Sequence, residues 1–535
     1  MKKEIPLDLK NLKGVNSENL RKDYPSEFFN IDFYNNISFV IYKHLNLAFE
    51  NANQLLINNN QNKFNNLVAL FYHHINAILC SYFFSKLELE MIIDKNFKGL
   101  FDSEQKQWSI SYSQIISNNY NFLTINKIGF KEKIKALINF FDKPENKTIN
   151  PKVFLHPGCS INLDQIIKIL DDKQISVSND VKVFDKKINI KLFYEQLSVL
   201  KNEIFQIFNI INVKGTKNEI PMEKIFDIID SRIREHVSSE SITKYNFDFV
   251  ALDSLGDLDS RKIAMQCRLQ NIPVMSLAHG ESSIIDEPLF GPVELTYCNY
   301  YISYGEKSCD SLTNGKYTKS LFNDDVKIIP SNSNQVFSLF KNKTIKKISD
   351  INSARIMYVP TSFNGNARYG PFRDIHDIAY YSWQYELIKS IKSEFQPKEI
   401  FLKYHPKDRF NFYLDIPELE VIKNGNFSDN IDKSDLFIFD FPGSAFSLAL
   451  ATSKPVIYFD IGFRNLSEKA LDDIKDRCIY IKSNPIESDI DFIDIRTKLY
   501  NEKVNNFTES FCLGDLNKSR EETVSNTIYN ICLNY

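Results

Sequence analysis

Hydrophobic positions along this chain change their period near residue 150. Before it, apolar side chains recur at helical spacing across Ile37–Leu56 and again across Leu67–Ile93, with asparagine-rich breaks at Asn58–Asn62 and Asn118–Asn121. From Pro151 onward, short apolar runs alternate with amphipathic ones. Lys152–Leu155 reads as a strand, His156-Pro157-Gly158-Cys159-Ser160 as a turn, and Leu163–Leu170 as a helix. Strand, glycine turn, helix is the opening unit of a doubly wound domain. Asp248–Leu252, a helix over Arg261–Gln270 and a strand running into His279 continue the series, and Tyr300–Gly305 reads as its last strand.

A linker is expected near Ser320–Val326, followed by Lys327–Pro330. A second series runs from Arg355–Pro360 to Pro455–Asp460, with helices predicted over Tyr381–Phe395, Ala445–Ala451 and Glu468–Asp476, and a closing helix over Glu521–Cys532. The pattern predicts an α/β protein of two doubly wound, Rossmann-like domains and a helical N-terminal region. The expected divisions are 1–148 for the helical region, 149–322 for the first domain and 323–535 for the second, which carries the closing helix.

Composition narrows the classes. At 535 residues the chain is too long for one core. Its 65 Lys and Arg against 68 Asp and Glu argue against a general nucleic-acid binder, which needs a basic face to neutralise phosphates. The eight cysteines include no Cys-x-x-Cys pair, so neither a zinc ribbon nor a redox motif is supported, and reduced thiols in a cytoplasmic protein are expected. No apolar stretch follows Met1–Pro6 to serve as a signal peptide. Leu67–Phe84 is interrupted by His73, His74 and Asn76, so it reads as a buried helix rather than a membrane span. The two adjacent histidines face different directions, which suits a structural role better than metal binding.

Three strand ends carry the candidate chemistry, because ligands of open α/β sheets bind outside the carboxyl ends of the strands. Strand Leu436–Phe439 ends in Asp440-Phe441-Pro442-Gly443-Ser444, and a helix begins at once. A helix start offers backbone N–H groups and a partial positive charge to a phosphate; Gly443 permits close approach, while Ser444 and Ser447 add hydroxyls. Ser444 reads equally as a simple N-cap. His405 ends a strand that Pro406 terminates, with Lys403 on the same side by alternation. The pair would balance the charge of a nucleotide leaving group, or form an exposed strand end. His279-Gly280-Glu281 ends a strand of the first domain; its imidazole is suited to accept a proton from an attacking hydroxyl, with Glu281 as rival base or orienting group. A plain strand-to-loop turn is the alternative. The loop 361–370 carries Arg368, with Arg373 just beyond, and either is suited to clamp a phosphate. No Walker loop, Gly-x-Gly-x-x-Gly, His-Glu-x-x-His or Gly-x-Ser-x-Gly occurs.

The run Ser434-Asp435, Asp440-Phe441, Gly443-Ser444-Ala445-Phe446, Ala449-Leu450-Ala451 and Lys454-Pro455-Val456-Ile457-Tyr458-Phe459-Asp460 resembles the nucleotide-binding segment of GT-B transferases that build bacterial surface polymers. These include teichoic-acid glycerophosphotransferases and capsule or lipopolysaccharide transferases that use CMP-activated sugars. The group shares a His-Gly element, a His-Pro element and a serine-bearing turn, present here in that order as His279-Gly280, His405-Pro406 and Ser444 with Ser447. The resemblance spans roughly residues 245–465. It implies an inverting glycosyltransferase that needs no metal and no cofactor beyond its nucleotide-activated sugar, with His405 and the serines holding donor phosphate. The donor would be cytidine-based and the acceptor a glycan or lipid-linked glycan, with peripheral association at the inner membrane. Pro442-Gly443 before a single Ser444 departs from the paired serines of the glycerophosphotransferases, and Asp253-Ser254-Leu255-Gly256-Asp257 only loosely echoes the acidic element of bacterial sialyltransferases. The base therefore stays open among His279, Glu281, Asp253 and Asp257. A nucleotide-sugar epimerase of the same fold and a non-catalytic scaffold of a polysaccharide assembly complex are the alternatives.

Overall fold

The structure is a computed structural model, and it describes residues 4–6, 22, 24–94, 98–100, 150–157, 161–180, 190–211, 222–234, 245–280, 284–286, 290–315, 319–322, 325–341, 344–363, 375–405, 414, 416–484, 490–501 and 503–534. Asn118–Asn121, Glu281, Arg368, Arg373 and Pro406 lie outside these. A short parallel pair, β1 (Glu4–Pro6) and β2 (Lys98–Leu100), flanks the N-terminal helices α1 (Ile31–Asn58) and α2 (Leu67–Asp94).

The first large sheet contains β3 (Lys152–Leu155), β4 (Ser176–Ser178), β5 (Phe249–Leu252), β6 (Val274–Leu277), β7 (Tyr300–Tyr304) and β8 (Lys327–Ser331), in the order β4-β3-β5-β6-β7-β8. Every pairing is parallel. The second contains β9 (Arg355–Val359), β10 (Glu399–Lys403), β11 (Leu419–Ile422), β12 (Leu436–Phe439), β13 (Val456–Asp460) and β14 (Ile479–Lys482), also all parallel, in the order β11-β10-β9-β12-β13-β14. Both orders reverse direction once, at β3/β5 and at β9/β12, and such a switch point opens a crevice at the carboxyl ends.

The strands read as apolar runs because both faces are covered. Along β5, Val250 and Leu252 join one core while Phe249 and Ala251 join another on the opposite face. The first of these cores is continuous: it takes in α1, α2 and one face of each sheet, including Ile356, Ile438 and Ile457. Helix α2, predicted as buried, is buried within that core. The N-terminal helices also touch the second domain directly. The Tyr34 hydroxyl donates to Glu88 Oε1 at 2.8 Å, His376 Nε2 lies 4.0 Å from Glu88 Oε2, and the rings of Phe28 and His376 are 4.5 Å apart.

Two features differ from the sequence reading. Tyr300–Tyr304 is not the last strand of its sheet, since Lys327–Ser331 pairs with it as an edge strand. Pro330 is tolerated there because an edge has no partner to receive its missing N–H. The closing helix, Arg520–Asn534, returns to the first sheet: Val524, Ile528 and Ile531 pack with Val153, Leu155 and Ile166.

Candidate active site

The exit of β12 is built around a buried carboxylate. Asp440 is fully enclosed and accepts from the Tyr358 hydroxyl, the Tyr380 hydroxyl at 2.9 Å and the Trp383 indole N–H at 3.2 Å. Burial pushes its pKa up to about 6, and the three donors only partly oppose this. The Thr361 amide donates to the Tyr380 hydroxyl at 2.9 Å, so the exit of β9 is tied through Tyr380 to the exit of β12. Asp440 thus fixes the two strands that flank the switch point.

Four residues later the chain turns into the helix Ser444–Ala451, which begins after Gly443 with no side-chain cap. Ser444 is exposed at its start. Ser447, one turn in, is fully buried, and its hydroxyl oxygen has no hydrogen-bond partner; Ser362, beyond β9, shows the same combination. The far end of the helix is held by Arg477, fully buried, which donates to the carbonyls of Leu450, Ala449, Thr452 and Lys454 at 2.8–3.3 Å. A cation at a helix C-terminus also suits its dipole. Nearby, Arg464 places its guanidinium 5.7 Å from the Phe441 ring centre. On β10, Lys403 is buried and donates to the Tyr404 carbonyl at 2.9 Å; burial lowers its pKa, with Asp429 opposing. His405 follows, half-buried.

The first domain supplies the opposite wall. His279 is exposed just beyond β6, and Gly280 adopts φ +72°. A Cβ added at Gly280 would lie 2.5 Å from Ser444 Oγ, so the two strand exits meet across the domains. Farther along, the segments 284–286 and 465–467 are stitched together by Asp286 N–H to Asn465 O, Ser467 N–H to Ile284 O and the Asn465 side-chain amide to Asp286 O, each 2.9 Å. The sheets therefore present their carboxyl ends to one cleft. At the β3/β5 switch point, Asp253 is half-buried with Oδ1 lacking a hydrogen-bond partner, and Asp257 caps the helix Leu258–Leu269 through the Ser260 amide at 2.9 Å. His156 lies at the end of β3; burial lowers its pKa while Asp257, Asp253 and Asp259 pull it upward. Glu294 is half-buried, accepts from Ser254 Oγ at 2.6 Å and the Leu255 amide at 3.0 Å, and has its pKa raised by burial.

The structure brings His279, Gly280, Gly443 and Ser444 together, and sets Ser447 one helical turn behind. Asp253 sits at the neighbouring exit of β5. Asp440, Glu294 and Arg477 are supporting residues that the sequence pattern alone does not reveal as such. Asp440 had a visible signal, a lone carboxylate closing an apolar strand; Glu294 and Arg477 had none, because their roles depend on long-range partners. Among the described residues, no three His, Cys, Asp or Glu side chains converge as a metal site.

Two parallel, doubly wound sheets facing one cleft define the GT-B class of fold. Residues 34–475 match the profile of the LIC12162 family transferases, and the chain belongs to that family. No curated protein matches the sequence. Among solved structures it is similar to a Listeria monocytogenes protein assigned as a UDP-N-acetylglucosamine 2-epimerase (13% identity, 68% of this chain and 94% of that one, TM-score 0.36). It is similar also to MurG of Acinetobacter baumannii (9%, 72% and 100%, TM-score 0.32) and to the glycosyltransferase SnogD of Streptomyces nogalater (10%, 72% and 100%, TM-score 0.33).

Proposed function

We propose that this transferase moves a sugar or polyol phosphate from a cytidine nucleotide to a bacterial surface glycan, free or lipid-linked, on the cytoplasmic side of the inner membrane. The observation that carries the reading is the contact between Gly280 and Ser444, which joins the His-Gly turn of one domain to the serine turn of the other. Donor phosphate would rest on the start of the helix Ser444–Ala451, where Gly443 leaves the backbone open and the Ser444 hydroxyl is exposed, with the buried, unpartnered Ser447 hydroxyl one turn behind and His405 contributing from beyond β10. In an inverting transfer the acceptor oxygen attacks as the bond to the nucleotide phosphate breaks, and the phosphate leaves with the electron pair. A base in the first domain takes the acceptor proton. Asp253, His279 and Glu281 are the candidates, and none of these steps calls for a metal.

Calorimetry with CMP and CDP tests the assignment. Ser444→Ala and His405→Gln are each expected to weaken binding by about tenfold, the range of a lost hydrogen bond to a charged group. Unchanged affinity in both variants would place the phosphate elsewhere.

A further inference from the structure

We propose that Arg520, the first residue of the C-terminal helix, is a positioning residue for the His279–Gly280 turn. Its relevance to transfer rests on the reading above. Arg520 is 4% exposed, donates through Nη2 to the Ala278 carbonyl at 3.0 Å, and bonds the Tyr304 hydroxyl through Nη1. The guanidinium also lies 4.3 Å from the Tyr304 ring centre. Ala278 is the last residue before His279, and its amide donates to the Ile302 carbonyl at 2.9 Å. The Tyr304 hydroxyl approaches the same Ala278 carbonyl at 3.4 Å. The peptide that leads into the turn is therefore held from both ends, and a buried arginine sets its carbonyl side.

The anchor of that arginine is the connection between the domains. Both chain crossings, after β8 and before the C-terminal helix, are laced together by side-chain amides. Asn332 donates to the carbonyls of Asp515 and Lys518 at 2.7 and 2.6 Å and accepts from the Gly514 amide at 2.8 Å. Asn334 donates to the Glu521 carboxylate at 2.9 and 3.1 Å. Glu521 in turn accepts from the Asn162 amide at 3.1 Å. Arg520 thus projects from a hydrogen-bonded knot at the domain junction onto the carbonyl of the residue that precedes His279. Burying a guanidinium is costly unless its donors are used, and two of its three nitrogens are spent on the ends of β6 and β7 while Nε has no partner. A lysine offers one point donor where the arginine fork holds the carbonyl and the hydroxyl together.

The test uses the full chain labelled with 13C-histidine, in which the eight histidines give a tractable spectrum and His279→Gln assigns the signal of interest. The variants are Arg520→Met, Arg520→Lys and Tyr304→Phe, each also titrated with CDP by calorimetry. The expected result is a displaced and broadened His279 resonance in Arg520→Met, a partial return in Arg520→Lys, and a smaller displacement in Tyr304→Phe. A His279 resonance coincident with wild type in folded Arg520→Met would overturn the proposal; if that variant does not fold, unmoved resonances in the other two would do so. Wild-type protein that fails to bind CDP or CMP would count against the nucleotide reading while leaving the Arg520–His279 relationship to stand on the spectra.

Discussion

Gly280 lies so close to Ser444 that a single added Cβ would come within 2.5 Å of the serine oxygen. One residue belongs to the exit of β6 and the other to the helix start beyond β12, so the contact fixes how the two domains meet. Gly280→Ala should carry two costs. The backbone at φ +72° disfavours any side chain by about 1 kcal/mol, and the steric overlap adds to this. Ser444→Gly in the same chain should relieve only the second. A double-mutant cycle on urea stability should therefore show a coupling beyond about 0.5 kcal/mol, and strict additivity would contradict the contact.

Asp440 gives the protein a specific acid signature. Its carboxyl titrates at about 6 in the folded state against an ordinary 3.8, so the native protein holds this proton through a window where the unfolded chain has released it. Stability from this group is present below pH 4 and is lost as pH rises through 6, amounting to about 3 kcal/mol for a difference of this size. Asp440→Asn should flatten that part of the pH profile, measured by chemical denaturation between pH 4 and 7. A profile with the same slope in the variant would show that the carboxyl is not the source.

Arg477→Met should be among the most damaging single changes outside the cleft. It removes a donor from four carbonyls at the end of the helix that begins with Ser444, of which those of Leu450 and Ala449 keep Asn505 and Thr452 as donors. A loss of roughly 3 kcal/mol is expected, because buried acceptors are left unsatisfied. Thermal and urea unfolding check this.

Ser447→Ala should separate stability from binding. The Ser447 hydroxyl is buried without a partner, so its removal should leave the free protein as stable or slightly more so. The same change should weaken CDP or CMP binding by about tenfold if the hydroxyl meets phosphate. Ser362→Ala offers a parallel case on the neighbouring strand exit.

Much of the architecture was legible in the chain, for physical reasons. Runs such as Phe249–Leu252 and Leu436–Phe439 are apolar at every position because both faces of a parallel sheet are covered, and the turns after them carry the polar residues. Weaker strands escaped: Ser176–Ser178 and Leu419–Ile422 are short edges, only partly buried. The placement of the last helix was also hidden. Its apolar stripe of Val524, Ile528 and Ile531 shows that it packs, but not on which sheet. The serine turn was readable from glycine and helix start, whereas Glu294, Arg477 and Arg520 acquire meaning only from partners far away in sequence.

The most direct test of the account is a thermal-shift panel with CMP, CDP, UMP, UDP, GDP and ADP, run on wild type and Ser447→Ala. A ligand at one hundred times its dissociation constant raises native stability by about 2.7 kcal/mol, well within reach of such a measurement. Selective stabilisation by CMP or CDP is expected in wild type, with a reduced shift in Ser447→Ala. Stabilisation by none of the six nucleotides, or a shift that Ser447→Ala leaves untouched, would contradict a cytidine-nucleotide site at the serine turn.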